Sequence, residues 1–503
     1  MTTKINYNQI KGAPVSVLDY GADKTGAADS TTAFNSALAF NSGGQVFVPD
    51  GTYLITGAVT ITGQLVGGRG AILSLSSAAK FVLRISDSSL IGMSFNVTGV
   101  LSASLIVHGF NGAARCTIQG NYFYGANIAS TNIIACDQTG LDDWVIDSNV
   151  ATAGVYGVLF NENATGINCK ITNNVFKAMN GGVNLNPATS KAFTNVLIEG
   201  NTLVVTAGEG FGVSLADALD VTIVDNDISA SINGVHIEGA SKRVIVSNNR
   251  IDCSVAAGAY GVLIGVGGFN IIISNNTIKA NNTVAGSGIY TVNTSGLITG
   301  LTINANQIVG TGGGYWGVGL DLQAQNSDMV VIGNTVFAVL GCACSYVTDG
   351  EIADNTFDSC TTVYSTALST EFGRTNLTGT LPTTVSVCSS GANTVRGIFA
   401  RFSYAHAASG ATVTTQVIKI PTLYLGDSHL RIGFNGENYG QLLTNARITG
   451  GVWTDITQVS AVAGVIGAPA ITVSGTYILV GCSAAGGAST AFGVLELNGS
   501  YII

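Results

Sequence analysis

One pattern limits what this chain can fold into more than any other: a short motif, I/V-x-x-N-x-I/V/L/F, returns at a nearly constant interval. It reads IQGNYF, ITNNVF, IEGNTL, IVDNDI, VSNNRI, ISNNTI, INANQI, VIGNTV and IADNTF, with IDSNVA filling the one gap. The asparagines run from Asn121 through Asn149, Asn174, Asn201, Asn226, Asn249, Asn276, Asn306 and Asn334 to Asn355, nine steps with a mean of 26 residues. A second marker keeps the same beat half a turn away: GVLF, GVNL, GVSL, GVHI, GVLI, GIYT and GVGL begin at Gly157, Gly182, Gly212, Gly234, Gly261, Gly288 and Gly317. A fixed period of this length marks a repeat architecture.

Each period is too short to close a core of its own, so the physical reading is a coil. Every short strand pairs with its equivalent one turn on, about 4.8 Å away, and stacked rungs share one core. An asparagine repeated at one corner can hydrogen-bond along the stack and tolerates the left-handed backbone expected there. No proline lies between Pro187 and Pro382, as interior strands that all donate to the ladder require. The 66 glycines and only 10% charged residues agree with many short strands and tight turns. The predicted fold is all-β, an elongated right-handed parallel β-helix over residues 14–370.

The ends read differently. In LDYGADKTGAADSTTAFNSALAFNSGGQVFVPDGTYLITG, Asp29 can cap a helix whose stripe Ala33, Phe34, Ala37 and Leu38 would close the end of the coil. Asp19, Asp23, Asp29 and Asp50 fall in turns and caps. Residues 371–385 break the rung pattern and read as a linker, and 386–503 alternate as in an antiparallel β-sandwich suited to trimerisation or carbohydrate binding. Residues 1–13 are an N-terminal peptide.

The run DYGADKTGAADSTTAF followed by GGQVFVPDGTYLI resembles the opening of the pectate-lyase-like β-helix superfamily, in the form found in bacteriophage tailspikes and capsule depolymerases. The motif covers about 45 residues, and the rungs extend the likeness to about residue 370. The resemblance implies a homotrimer in the virion tail that acts on a bacterial surface polysaccharide, capsule or O-antigen. It implies attachment through the N-terminal peptide to another phage tail protein.

Other partners are disfavoured. A net charge of −9 without a Lys/Arg cluster gives no footprint for nucleic acid. No apolar run reaches the roughly 18 residues of a membrane span, and MTTKINYNQIKGAP has no signal-peptide core, so a soluble chain made in the host cytoplasm is expected. Nine scattered cysteines and four distant histidines suggest neither disulfides nor a metal, and no cofactor is expected. Cys116 and Cys169 read as small buried apolar residues.

Alternation along a strand turns the repeats into columns on the outer surface. Before the asparagine corner the outward column is Leu197, Thr222, Ile245, Ile272, Thr302 and Val330, an apolar stripe expected to be covered by another subunit. In the glycine-marked strands the outward pairs are Asn184/Asn186, Ser214/Ala216, His236/Glu238, Leu263/Gly265, Tyr290/Val292 and Gly319/Asp321, a polar face suited to a glycan. Tyr260, Tyr315 and Trp316 precede these strands and could stack on sugar rings. Glycoside hydrolysis needs two carboxyl groups about 5 to 9.5 Å apart, and Glu238 with Asp217 one rung below is the expected pair, with His236 beside Glu238. Glu209, Tyr290, Asp321, Trp316, Tyr260, Asn184 and Asn186 are expected substrate contacts, and Asp220 with Arg243 a salt bridge. Lyase chemistry through His236 and Tyr290 is an alternative, disfavoured because no basic residue falls in the glycine-marked column; a non-enzymatic adhesin is another.

Overall fold

The structure is a computed structural model. It describes residues 15–99 and 105–366 apart from 111, 138, 188–191, 207–209, 255–257, 266, 282–285, 293–296, 312–317, 339, 348–349, 359 and 361, and beyond these the strands between Glu371 and Ile502. The chain divides into two compact units, 1–252 and 253–503, each described by itself. The N-terminal peptide lies outside the described residues.

In the first unit a right-handed parallel β-helix is built from strands that pair only with their equivalents on the next turn. One sheet contains Phe81–Ile85, Leu105–Gly109, Asn132–Cys136, Gly154–Glu162, Val175–Pro187, Phe211–Ala216 and Asn233–Glu238. Its inward column, Val107, Ile134, Val158, Val183, Val213 and Val235, is in register and buried. A second inward column, Ile118, Ile146, Ile171, Ile198, Ile223 and Val246, lines the neighbouring sheet. Each such side chain contributes roughly 1.5–3 kcal/mol of burial, and β-branched residues suit both the strand and the stacking.

The asparagine corner is a continuous polar ladder inside the rim of this core. Asn121 donates through Nδ2 to Asn149 Oδ1 at 3.0 Å, and the same bond repeats from Asn149 to Asn174, Asn201, Asn226 and Asn249. In the second unit it runs from Asn276 through Asn306 and Asn334 to Asn355. The expected left-handed backbone does not fall on these asparagines. It falls on the residue before each: Gly120, Ser148, Asn173, Gly200, Asp225, Asn248, Asn275, Ala305, Gly333 and Asp354 all have φ between 51° and 67°. That residue turns the chain outward, and the next asparagine is carried inward, where all ten ladder members are buried.

A second left-handed corner, not anticipated, occurs six positions before each ladder asparagine from Asn121 to Asn334, at Asp143, Asn168, Asn195, Asp220, Arg243 and Asn270 among others. It is exposed and cross-linked by side chains: Asn168 Nδ2 donates to Asp143 Oδ1 at 3.0 Å, and Arg243 Nη2 to Asp220 Oδ2 at 2.7 Å. The Asp220–Arg243 pair is the salt bridge expected from the rung alignment.

The helix Thr31–Phe40 buries Ala33, Phe34, Ala37 and Leu38 as the stripe predicts. Its N-cap position is Ser30, whose side chain makes no cap bond; Asp29, one residue earlier, accepts from Thr31 N at 3.1 Å instead. Asn35 fastens the helix to the first rungs, donating to Ala58 O and accepting from Thr60 N. The other early acids hold turns: Asp19 closes a capping box with Ser16, Asp23 accepts from Thr25, Ala27 and Ala28, and Asp50 accepts from Gly70 N. Cys116 and Cys169 are fully buried, and burial pushes their thiols up to about 11 and about 12.

In the second unit parallel pairing continues further than the sequence pattern. The segment expected as a linker contains Glu371–Phe372 and Thr375–Thr378, which pair in parallel with Glu351–Ile352 and Asn355–Asp358. Degenerate side chains at the corners do not interrupt pairing, because the ladder is made by backbone groups. Thr394–His406 still pairs in parallel with Glu371–Phe372 and Thr375–Thr378, and from it onward the strands pair antiparallel with one another, with Ser489–Ile502 between Thr394–His406 and Tyr424–Gly436. Among the described residues no helix is long and apolar enough to cross a membrane.

Candidate functional site: a polar trough

The sheet containing Asn233–Glu238 carries three outward columns in the first unit. The central one runs Arg84, His108, Ala135, Leu159, Asn184, Ser214, His236, each residue paired with the next. On one side lies the column of residues preceding the marker glycines: Tyr156, Gly181, Phe211, Asn233. On the other side are Asp137, Asn161, Asn186, Ala216 and Glu238, each two residues beyond a member of the central column. The expected face is therefore there, with Asn184, Asn186, His236 and Glu238 upon it.

The marker glycines make room for these columns. A Cβ at Gly212 would stand 2.3 Å from Ile228 Cγ2, so no larger residue fits the corner. With the corner drawn tight, the preceding residue turns outward: the Phe211 ring lies 4.9 Å from the imidazole of His236, and the Tyr156 ring covers Gly181, where a Cβ would meet it at 2.4 Å. These two aromatics were missed in the sequence, although they occupy the position already noted for Tyr260.

His236 Nε2 lies 3.0 Å from Glu238 Oε1. The imidazole is buried and the carboxylate half exposed, with side-chain exposures of 9% and 50%. Burial pushes the His236 pKa down, opposed by the Glu238 charge, so the neutral ring predominates near pH 7. A carboxylate can only accept, so Nε2 carries the proton and Nδ1 the lone pair. Nδ1 has no partner among the described residues, and neither do Asn184 Oδ1 and Asn233 Oδ1 nearby in the register.

Asp217 sits at the end of the adjacent strand with φ of 50°, and its Oδ1 accepts from Ala240 N at 2.8 Å. One of its oxygens thus holds the corner after Glu238, while Glu238 itself turns back to His236.

At the other end of the central column is a second histidine–carboxylate pair that sequence spacing did not reveal. His108 Nε2 lies 3.1 Å from Asp137 Oδ1, with Arg84 one rung before. Burial lowers the His108 pKa most, Asp137 opposes the shift, and Arg84 and Lys80 add to it. The column thus extends toward the N-terminus beyond the first marker glycine, where no motif flags it, while within the glycine-marked strands Leu159, Asn184, Ser214 and His236 include no lysine or arginine, as expected. From His108 to His236 is five rungs, about 24 Å.

In the second unit Tyr260 and Tyr290 stack with ring centroids 4.7 Å apart. Tyr290 is in register with Asp321, not with Gly319 as the GVGL alignment implies. Gly319 fills the marker position in this strand, because a Cβ there would stand 2.1 Å from Val336 Cγ1. Asp321 is buried and accepts from Ser287 Oγ at 3.4 Å. Burial, with the Asp321 charge adding to it, raises both tyrosine pKa values. Glu209, Tyr315 and Trp316 lie outside the described residues. Among the described residues no cluster of three metal-ligating side chains occurs.

Residues 14–235 match the family described as rhamnogalacturonase A/epimerase, pectate lyase-like, and residues 156–336 match the right-handed β-helix region family. No curated protein matches the chain. Among solved structures, the tailspike protein of E. coli bacteriophage HK620 in complex with a pentasaccharide aligns with a TM-score of 0.49 and 12% identity, over 96% of this chain and 93% of that one. The A-module of Azotobacter vinelandii mannuronan C-5 epimerase AlgE4 aligns with a TM-score of 0.42 and 15% identity, over 68% and 95%. The tailspike protein of Acinetobacter baumannii phage AM24 gives 0.32 and 14%, over 97% and 83%.

Proposed function

We propose that this chain, whose residues 14–235 match a pectate lyase-like family and 156–336 a right-handed β-helix region family, is a bacteriophage tailspike that binds and hydrolyses a bacterial surface polysaccharide in the trough of its first unit. The observation that carries the proposal is the His236–Glu238 pair at one end of an amide-rich floor walled by Tyr156 and Phe211. Amides and a hydroxyl pair with sugar hydroxyls, and aromatic faces cover the apolar faces of sugar rings. The opening motif points the same way.

In this reading Glu238, held by the Nε2 proton of His236, is one reacting carboxyl, and Asp217, with one oxygen on Ala240 N, supplies the second. Tyr260, Tyr290 and Asp321 are further sugar contacts. The half-exposed stripe through Leu197, Thr222 and Ile245 would be covered in a homotrimer, with Ile245 36% exposed in the single chain. The N-terminal peptide would attach to another tail protein.

The test is incubation with purified capsular and O-antigen polysaccharides, followed by reducing-end and chain-length analysis. Glu238→Gln keeps size and hydrogen bonding and should lower cleavage about 10²- to 10⁴-fold while binding survives. Asp217→Asn keeps the acceptor for Ala240 N, so its fold is preserved and its loss of rate reports chemistry. Wild-type turnover in both variants would refute the assignment. A specific observation favours one second reading, β-elimination: His108 with Asp137 and Arg84 places a base beside a cation. Products with an unsaturated, ultraviolet-absorbing sugar, abolished by His108→Gln, would establish it.

A further inference from the structure

Three buried polar atoms around His236 ask for the same kind of partner. Asn184, Asn233 and His236 are 6%, 3% and 7% exposed. Their unpartnered atoms, Oδ1, Oδ1 and Nδ1, are all acceptors among the described residues, since the Nε2 proton of His236 is committed to Glu238. A buried acceptor left unpaired costs stability, and because nearly all buried polar groups in folded proteins have partners, each that has none in the fold calls for a reason such as a catalytic role or a bound molecule. We propose that this end of the trough is built for a neutral sugar residue, whose hydroxyl protons these three acceptors read, and that a uronate is excluded from it. The inference rests on the polysaccharide reading above and names the class of sugar.

The surrounding columns fit. Gly181, Phe211 and Asn233 on one side, and Asn186, Ala216 and Glu238 on the other, contain no cation. A uronate carboxylate has only lone pairs to offer, so here it would meet three further acceptors and the Glu238 carboxylate. A hexose hydroxyl can donate to each acceptor and still accept from the Ser214 hydroxyl, which lies between Asn184 and His236 in the register. A site that hydrogen-bonds a substrate hydroxyl rejects the analogue lacking it, because its own buried groups are then left unpaired.

Two measurements on the full chain test this with Asn184→Leu, Asn233→Leu and the double variant. The first is thermal unfolding without glycan. An acceptor whose partner is the ligand leaves Tm equal or higher when replaced by leucine; a fall of several degrees would show it engaged within the fold and would overturn the proposal. The second is calorimetric binding to polysaccharide fragments with neutral repeats, with uronate repeats, and with the uronates reduced to hexoses. Neutral and reduced fragments should bind, with each substitution weakening them about two- to tenfold. Tight binding to a uronate fragment that disappears on carboxyl reduction would refute the neutral-sugar assignment and leave the depolymerase reading standing. Binding to no fragment at all would remove that reading and this one together.

Discussion

Replacing Asn201 by alanine takes out the middle of the first unit's ladder. Its Oδ1 accepts from Asn174 N at 2.9 Å and Asn174 Nδ2 at 3.0 Å, and its Nδ2 donates to Asn226 Oδ1 at 2.9 Å and Ile171 O at 2.8 Å. Truncation leaves the Asn174 amide proton and one Asn174 Nδ2 proton buried without an acceptor. Each buried orphan costs about 1–3 kcal/mol, so the substitution should cost about 2–6 kcal/mol before any cavity is counted. Asn195, an exposed corner residue of the same turn with φ of 55°, is the control. Asn195→Ala should cost the roughly 1–2 kcal/mol of a left-handed alanine, and Asn195→Gly only the exposed bond that Asn195 Nδ2 donates to Asn168 Oδ1, about 0.5–1 kcal/mol. Guanidinium unfolding of the three variants under one condition separates these effects through midpoint and slope. If Asn201→Ala unfolds no earlier than Asn195→Gly, the ladder does not carry the stability assigned to it.

Three other outcomes are expected. Backbone and side-chain hydrogen bonds to Asp23 lower its pKa from 3.8 to about 2; the turn it holds is stable above the unfolded value and is lost as pH falls through the folded one, so exchange protection of the Ala27 and Ala28 amides should disappear between about pH 4 and 2, and protection persisting below that window would contradict the assignment. Burial raises the Cys116, Cys169 and Cys360 thiols to about 11, 12 and 12, so none should react with a thiol reagent at pH 8 until the protein unfolds; rapid labelling of the native chain would show them accessible. Ile245→Asp should dissociate the proposed trimer in light scattering without changing the circular dichroism, whereas a wild-type monomer at micromolar concentration would count against the trimer itself.

What could be read in advance was what the repeat imposes. Ten regularly spaced asparagines require a coil, because a side chain that must pair with its own equivalent can do so only when turns stack in register. The apolar columns, the N-terminal stripe of Ala33, Phe34, Ala37 and Leu38, and the polar face through Asn184, His236 and Glu238 follow from that period and the two-residue alternation of a strand. The Asp220–Arg243 bridge follows from aligning two rungs.

Other features depend on geometry within a turn, which spacing does not encode. The left-handed residue lies beside the ladder asparagine because the corner must turn outward for the asparagine to point inward. Tyr290 meets Asp321 because Gly319, where a Cβ would stand against Val336, takes the tight position of the marker glycine in that strand. His108 and Asp137 lie 29 residues apart, one on a strand and the other just past the end of the strand on the next turn, and only the stacking of turns brings an imidazole 3.1 Å from that carboxylate. The pattern of residues thus determined that this chain coils and which residues share its polar face, while tertiary packing decided which atoms on that face are buried without partners, because burial depends on what neighbouring turns place above each side chain.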